Sequence, residues 1–220
     1  VTLVQARFST LRSVLDELQI AAVDGLLIAC GVSRYQLTSP DRGFSFDSAA
    51  SLDMRMNQSE DCQTAADIVN FDSEQEIARI LYELGEERRG RTVARAIVRA
   101  RPIRSTRSLA EVIESVVARA GRVRGSTRSL QALRLYVNSE LEEVEALVGQ
   151  LDRILRPGAR TVFITFHSLE DRIVKRGFQA WHKANRARVL TKHVVTPGPE
   201  EMRRNPASRS AKLRALEWIG

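Results

Sequence analysis

The chain has 220 residues, 43% hydrophobic and 28% charged, a balance that sets aside collagen-like, disordered and coiled-coil classes and leaves one good core or one core with an insertion. No apolar run reaches the roughly 18–20 residues of a membrane helix, because Asp24 interrupts the best one at 20–32. Two cysteines and no signal peptide predict a reducing, cytosolic setting without membrane partners. A net charge of +7 favours a polyanionic partner. That charge is unevenly spread: residues 86–128 sum to +8 and 172–220 to +9, against −7 for 37–85 and −3 for 129–171. All 12 basic residues of the first positive block are arginine, which grips phosphate with a fixed two-pronged geometry that lysine lacks. A solvated helical face explains either block alone; the two together point to nucleic acid.

Residues 2–5 read as the end of a short strand. Ser9 or Thr10 then caps a helix whose Leu11, Val14, Leu15 and Leu18 share a face. The near-continuous apolar run at 23–30 predicts a strand buried on both sides of a parallel sheet. Residues 37–60 are turn-rich. Ser73 to Glu76 form a capping box ahead of Ile77, Ile80, Leu81 and Leu84, and Gly85 stops that helix. A second helix is predicted at 89–100, and a third follows a box at Ser108 to Glu111 and runs to Gly121. This segment contains no convincing strand, so a helical insertion in an α/β domain is expected. An apolar stripe from Leu130 to Leu155 predicts one long helix ended by Pro157-Gly158. A second core strand at 160–166 and a helix capped by Ser168 follow. Residues 189–195 and 210–216 are weaker strands, antiparallel at a sheet edge.

Cysteine and histidine show no metal-ligand spacing, so no metal site is expected. Glycine-rich phosphate loops and a nucleophile elbow are absent as well. Three segments are more organised than composition requires. The run from Ile28 to Gln36 leaves the carboxyl end of a core strand, where open α/β sheets bind ligands, making Ser33 and Gln36 candidates against an ordinary turn. The run from Phe166 to Arg172 leaves a second strand end; His167 there could move a proton or hold a base, or simply belong to a capped helix. In Leu52-Asp53-Met54-Arg55-Met56, two methionines flank an arginine, as in an adaptable base-contacting surface or as buried packing.

Gly31-Val32-Ser33 with Gln36-Leu37, Asp41 to Phe46, Leu52 to Met56, Thr64 to Asp67, Gly85 to Arg88 and Ala94 to Val98 occur in that order. Gln131 to Arg134, Val137 to Leu141, the run FHSLEDRIVK from Phe166 to Lys175, Asn205-Pro206 and Arg209 to Arg214 complete the series. Taken together the chain resembles the bacterial ribosomal RNA small-subunit methyltransferase H (MraW) family over essentially its whole length.

The resemblance implies a Rossmann-like class I methyltransferase sheet, incomplete at its N-terminal side, with a helical insertion: core at 1–38 and 128–220, RNA-recognition insertion at 39–127. It implies S-adenosylmethionine as cofactor, N4 of a cytidine in small-subunit ribosomal RNA as target, and that RNA or the small ribosomal subunit as partner. Phe8 and Gln36 match cofactor contacts of the family in type and place. The family's GGH motif and the acidic residue closing its second strand have no counterpart, since residue 1 falls at what would be strand three. Ala29 stands where the family has Asp, and Tyr35 where it has Pro. The expectation is therefore weak cofactor binding by these 220 residues, as a truncated or inactive form, with a non-catalytic RNA-binding remnant of the family as the alternative. Expected roles are Ser33 and His167 at the reacting base, Ser168 beside it, and Arg55, Arg88, Arg91, Arg95 and Arg172 on RNA phosphates.

Overall fold

The structure, a computed structural model, describes residues 1–46, 49, 51–119 and 124–220. In chain order, a 3-10 turn at Phe8–Thr10 leads into helix α1 (Leu11–Glu17), strand β1 (Val23–Ala29), α2 (Arg34–Thr38) and a second 3-10 turn at Pro40–Arg42. Helices α3 (Ala65–Phe71), α4 (Glu74–Gly85), α5 (Gly90–Arg99), α6 (Thr106–Glu114), α7 (Thr127–Val137), α8 (Glu140–Gly149) and α9 (Leu151–Ile154) follow. The chain closes with β2 (Leu155–Thr165), α10 (Ser168–Lys183), β3 (Ala187–Val189), α11 (Pro199–Arg204), a 3-10 turn at Pro206–Ser210 and β4 (Lys212–Trp218). This is the mixed α/β class expected. It divides into two compact units, one of Val1–Gly31 with Glu140–Gly220 and one of Val32–Ser139.

In the first unit the strands lie in the order β1-β2-β4-β3, with β1 parallel to β2 and β4 antiparallel to both of its neighbours. Ile28, Phe163, Leu216 and Trp218 of the sheet bury with Val144, Leu147 and Val148 of α8 and Val174 and Phe178 of α10. At Gly177 of α10 a Cβ would collide with Val148 Cγ1, so the glycine sets how closely α10 approaches α8. Two expectations are corrected here. Residues 1–7 form no strand and are exposed. Strand β1 is not buried on both faces: Leu26 and Ile28 pack into the core, while Leu27, alternating to the opposite face, is 71% exposed on what is the edge strand of the described sheet.

The second unit is helical. Ile68, Ile77, Ile80, Leu81, Val93, Ile97, Leu109, Ile113, Leu130 and Leu133 are all buried in one cluster. Three predicted helix details and one strand start differ. The stripe from Leu130 to Leu155 is carried by three helices, because Ser139 takes a left-handed φ of +49° and α9 starts afresh after Gln150. Ser73 caps α4, yet Glu76 does not reach back; its carboxylate goes to Arg79 at 2.6 Å. The box opening α6 is Ser105 with Ser108, one turn earlier than predicted, and the expected stop at Gly121 lies outside the described residues. Strand β2 begins at Leu155 and accommodates Pro157-Gly158 in a register shift, rather than starting after them.

Candidate functional site

The first candidate region is the carboxyl end of the parallel pair β1 and β2, where open α/β sheets place ligands. Cys30 N–H donates to the Ile164 carbonyl at 2.9 Å, and the chain leaves β2 through Phe166 and His167 into α10. His167, not Ser168, is the N-cap: its Nδ1 accepts from the Glu170 N–H at 3.4 Å. Glu170, 1% exposed, reaches back so that Oε2 accepts from the Phe166 N–H at 2.9 Å. The imidazole thus caps one free helix N–H, while Glu170 reaches past the N-cap to the residue before it. With Nδ1 as acceptor, the proton sits on Nε2. That nitrogen is buried, 3.0 Å from Glu170 Oε1 but out of line for a hydrogen bond. Both ring nitrogens thus face inward.

The same strand end buries a thiol beside two carboxylates. Burial, then the charges of Glu170 and Glu140, push the Cys30 thiol far up, so it stays protonated and is no nucleophile. One residue further along α10, Asp171 takes both prongs of Arg214, at 2.6 and 3.0 Å, tying the helix to β4. Arg172 and Arg176 are exposed beside a groove between α8 and α10 that Leu141, Glu145 and Gly149 also line. Phe8 is half-buried against this unit's core.

The second unit holds Ser33 and Gln36 in a tight reciprocal cap. Gln36 N–H donates to Ser33 Oγ at 3.2 Å, and Gln36 Oε1 accepts from Ser33 N–H at 2.9 Å. The other end of the Gln36 amide, Nε2, lies 3.5 Å from the Met56 carbonyl. The Met54–Met56 segment is fixed from two sides. Asn138, at the end of α7, accepts from Met56 N–H at 2.6 Å and donates to the Met54 and Arg134 carbonyls, each at 2.8 Å. Arg42 donates to the carbonyls of Arg55 and Met56 at 3.0 and 2.7 Å. Met54 is buried, so the packing reading describes it rather than the base-contacting one. Arg55 turns onto Asp53, which is itself buried, and sends its remaining nitrogen to the Glu60 carbonyl at 2.9 Å. This guanidinium makes these bonds within its own unit.

Arg88, Arg91 and Arg95 are exposed as expected of phosphate contacts. Arg95 lies 3.5 Å from Glu74, whereas the side chains of Arg88, Arg89 and Arg91 make no ion pair among the described residues. They line a cleft of about 670 Å³ with Arg79 and Tyr82 of α4. Thus Ser33 and Gln36 come together in the second unit, as do Arg88 and Arg91, while His167, Ser168 and Arg172 follow one another at the start of α10 in the first. Sequence reasoning missed Asp53, Asn138, Glu170 and Tyr82. An Asp two residues from an Arg is close enough in sequence for the two charges to meet and was a readable signal.

Comparison with known proteins adds the decisive observation. A model of the MraW methylase family matches residues 1–219. The chain belongs to that family. It is 50% identical over 210 residues to "Ribosomal RNA small subunit methyltransferase H" of Solibacter usitatus, covering 96% of this chain and 73% of that protein. The protein of the same name from Rhodopseudomonas palustris is 46% identical over 234 residues, covering 98% and 70%. That of Synechocystis sp. is 48% identical over 204 residues, covering 91% and 66%. Methylases of this kind take their methyl group from S-adenosylmethionine. No helix among the described residues is long and apolar enough to cross a membrane, and none of their His, Cys, Asp and Glu side chains group as a metal site.

Proposed function

We propose that the chain acts on small-subunit ribosomal RNA, free or in the small ribosomal subunit, as an S-adenosylmethionine-dependent methyltransferase of cytidine N4. Family membership carries the reading: a methylase family covers the chain, and relatives matching nine-tenths or more of it bear names that state the ribosomal substrate. The exposed arginines of α5 support contact with a phosphate backbone.

The exocyclic amine of cytosine is a poor nucleophile because its lone pair is delocalised into the ring. A hydroxyl that accepts one amine N–H favours localising that pair. Ser33 suits this role: it is exposed, and its oxygen, which takes one bond from Gln36 N–H, has a second lone pair. His167 acts as a positioning residue for the start of α10, and Arg55 as one for the Met54–Met56 loop. A base presented to such a site must be unstacked from its neighbours.

The described residues do not by themselves fit S-adenosylmethionine. Ala29 closes β1 without a carboxylate, and Gln36 has both ends of its amide engaged inside its own unit. No step is therefore derived through the cofactor. This mismatch favours, as a second reading, an RNA-binding family member without catalysis.

Transfer of labelled methyl from S-adenosylmethionine to unmethylated small subunits, with the product nucleoside identified by mass spectrometry, separates the two. N4-methylcytidine supports the first reading. Tight RNA binding with no methyl transfer, and calorimetry without micromolar cofactor binding, supports the second. Label on another base, or no RNA binding at all, overturns both.

A further inference from the structure

The arginines at the start of α5 do not project from a flat surface. Gly90 makes the difference: a Cβ there would stand 3.1 Å from the Ala78 carbonyl and 3.5 Å from both Leu81 Cβ and Tyr82 N. Lacking one, the backbone of α5 lies directly against α4, and Arg88, Arg89 and Arg91 line one cleft with Tyr82. Tyr82 is 66% exposed, so much of its surface is open to a ligand.

We infer that this cleft docks an unpaired RNA nucleotide, its base stacked on Tyr82 and its phosphates held by Arg88, Arg89 and Arg91. The inference rests on the ribosomal RNA reading and adds which form of RNA is gripped and by what. Three further observations favour it. The three guanidinium groups make no ion pair among the described residues, so phosphate does not have to displace a carboxylate from them. Arg79 is different: Glu76 and Glu83 hold it from both sides at 2.6 Å, which makes it part of the wall and not of the grip. The buried Glu87 accepts the Arg89 N–H at 2.9 Å, fixing the turn that carries the arginines.

The remaining lining is neutral or compensated. Gln75 and Thr92 are neutral, and Glu74 faces Arg95. A ring beside positive charge, without an array of fixed donors and acceptors, describes a stacking platform that tolerates any base. A duplex keeps its bases stacked inside and cannot offer a face to Tyr82. An acidic peptide would use the arginines and leave the ring idle.

The test is fluorescence anisotropy of the full chain with a non-self-complementary single-stranded RNA decamer, the corresponding duplex, and a polyglutamate peptide. Tyr82→Ala is expected to weaken single-strand binding about 5- to 150-fold, the equivalent of ~1–3 kcal/mol per stacked base. Its duplex binding stays unchanged, and Tyr82→Phe, which keeps the ring, binds as the wild type does. Arg88→Ala combined with Arg91→Ala weakens single strand and duplex together and flattens the salt dependence. Single-strand affinity unaltered by Tyr82→Ala overturns the inference while leaving the ribosomal RNA reading intact. Polyglutamate bound as tightly as RNA overturns it as well. Absence of RNA binding by the wild type defeats the ribosomal reading and this inference with it.

Discussion

Arg55 grips Asp53 with two nitrogens, Nε at 2.7 Å from Oδ1 and Nη2 at 3.1 Å from Oδ2, across a single intervening residue. Gln58 adds a third bond to the carboxylate at 3.0 Å. Burial works against the charge on Asp53, but the hydrogen bonds from Arg55 and Gln58 outweigh it and hold the carboxyl below its ordinary value. Arg55→Ala is expected to lower stability by about 1.5–3 kcal/mol, read as a urea midpoint. Arg55→Lys recovers only part, for lack of the fork. Because the folded value is depressed, the contribution of Asp53 is complete above the ordinary Asp range near pH ~3.9 and fades as pH falls through the lowered value. The stability gap between wild type and Asp53→Asn should therefore narrow on acidification from about pH 5 to 2. A gap independent of pH over that span would show that the pair carries no linkage.

RNA binding should be strongly salt-dependent. If the exposed arginines meet about 4–6 phosphates, the plot of log affinity against log salt has a slope of roughly −3 to −5. Titrations between low and physiological salt measure it, and a flat response would remove the arginine faces from the interface.

Gly177 and Val148 should be energetically coupled. Gly177→Ala puts a methyl into Val148 Cγ1 and is expected to cost about 1–3 kcal/mol. Val148→Ala alone costs stability by leaving a void. Combined, each relieves the other, so the double variant should be more stable than the two single losses add up to. Strict additivity in a denaturation cycle would mean that the helices part freely.

The two cysteines should differ in reactivity. Cys30 is buried and its thiol is held protonated, whereas Cys62 is half-exposed. Native protein treated with iodoacetamide near neutral pH is expected to take one label, at Cys62, and unfolded protein two, as counted by mass spectrometry. Early labelling at Cys30 would contradict the closed strand end described for it.

What the sequence disclosed followed from the range of the interactions involved. The helical cores around Ile77, Ile80 and Leu81 were legible because a period of 3–4 residues is local. The parallel neighbours at Ile28 and Phe163 were legible because buried strands carry dense apolar runs. Exposure of Leu27 was not, since a side chain's surroundings depend on what covers its face. The break at Asn138 and Ser139 was hidden by an apolar stripe that continues in phase through it. At the candidate site, the segments around Ser33 and His167 stood out as motifs. Their hydrogen bonds did not, because histidine is a rare cap and Ser168 beside it is the commoner one.

Asn138 has a consequence for how the second unit breathes. Met54 is held at a φ of +63°, a backbone state that costs a residue of its kind on the order of 1–3 kcal/mol unless its surroundings enforce it. The amide of Asn138 contacts that residue's carbonyl, the Met56 N–H and the last turn of α7 at once. Loop and helix end therefore form one cooperative unit, and neither can open while the other stays shut. The Met56 amide proton should exchange with solvent at the pace of fraying in α7 rather than at that of a surface loop. Through the Met56 carbonyl the turn that presents Ser33 inherits the same rhythm. Order in the Ser33 turn is thus borrowed from a helix more than eighty residues away along the chain.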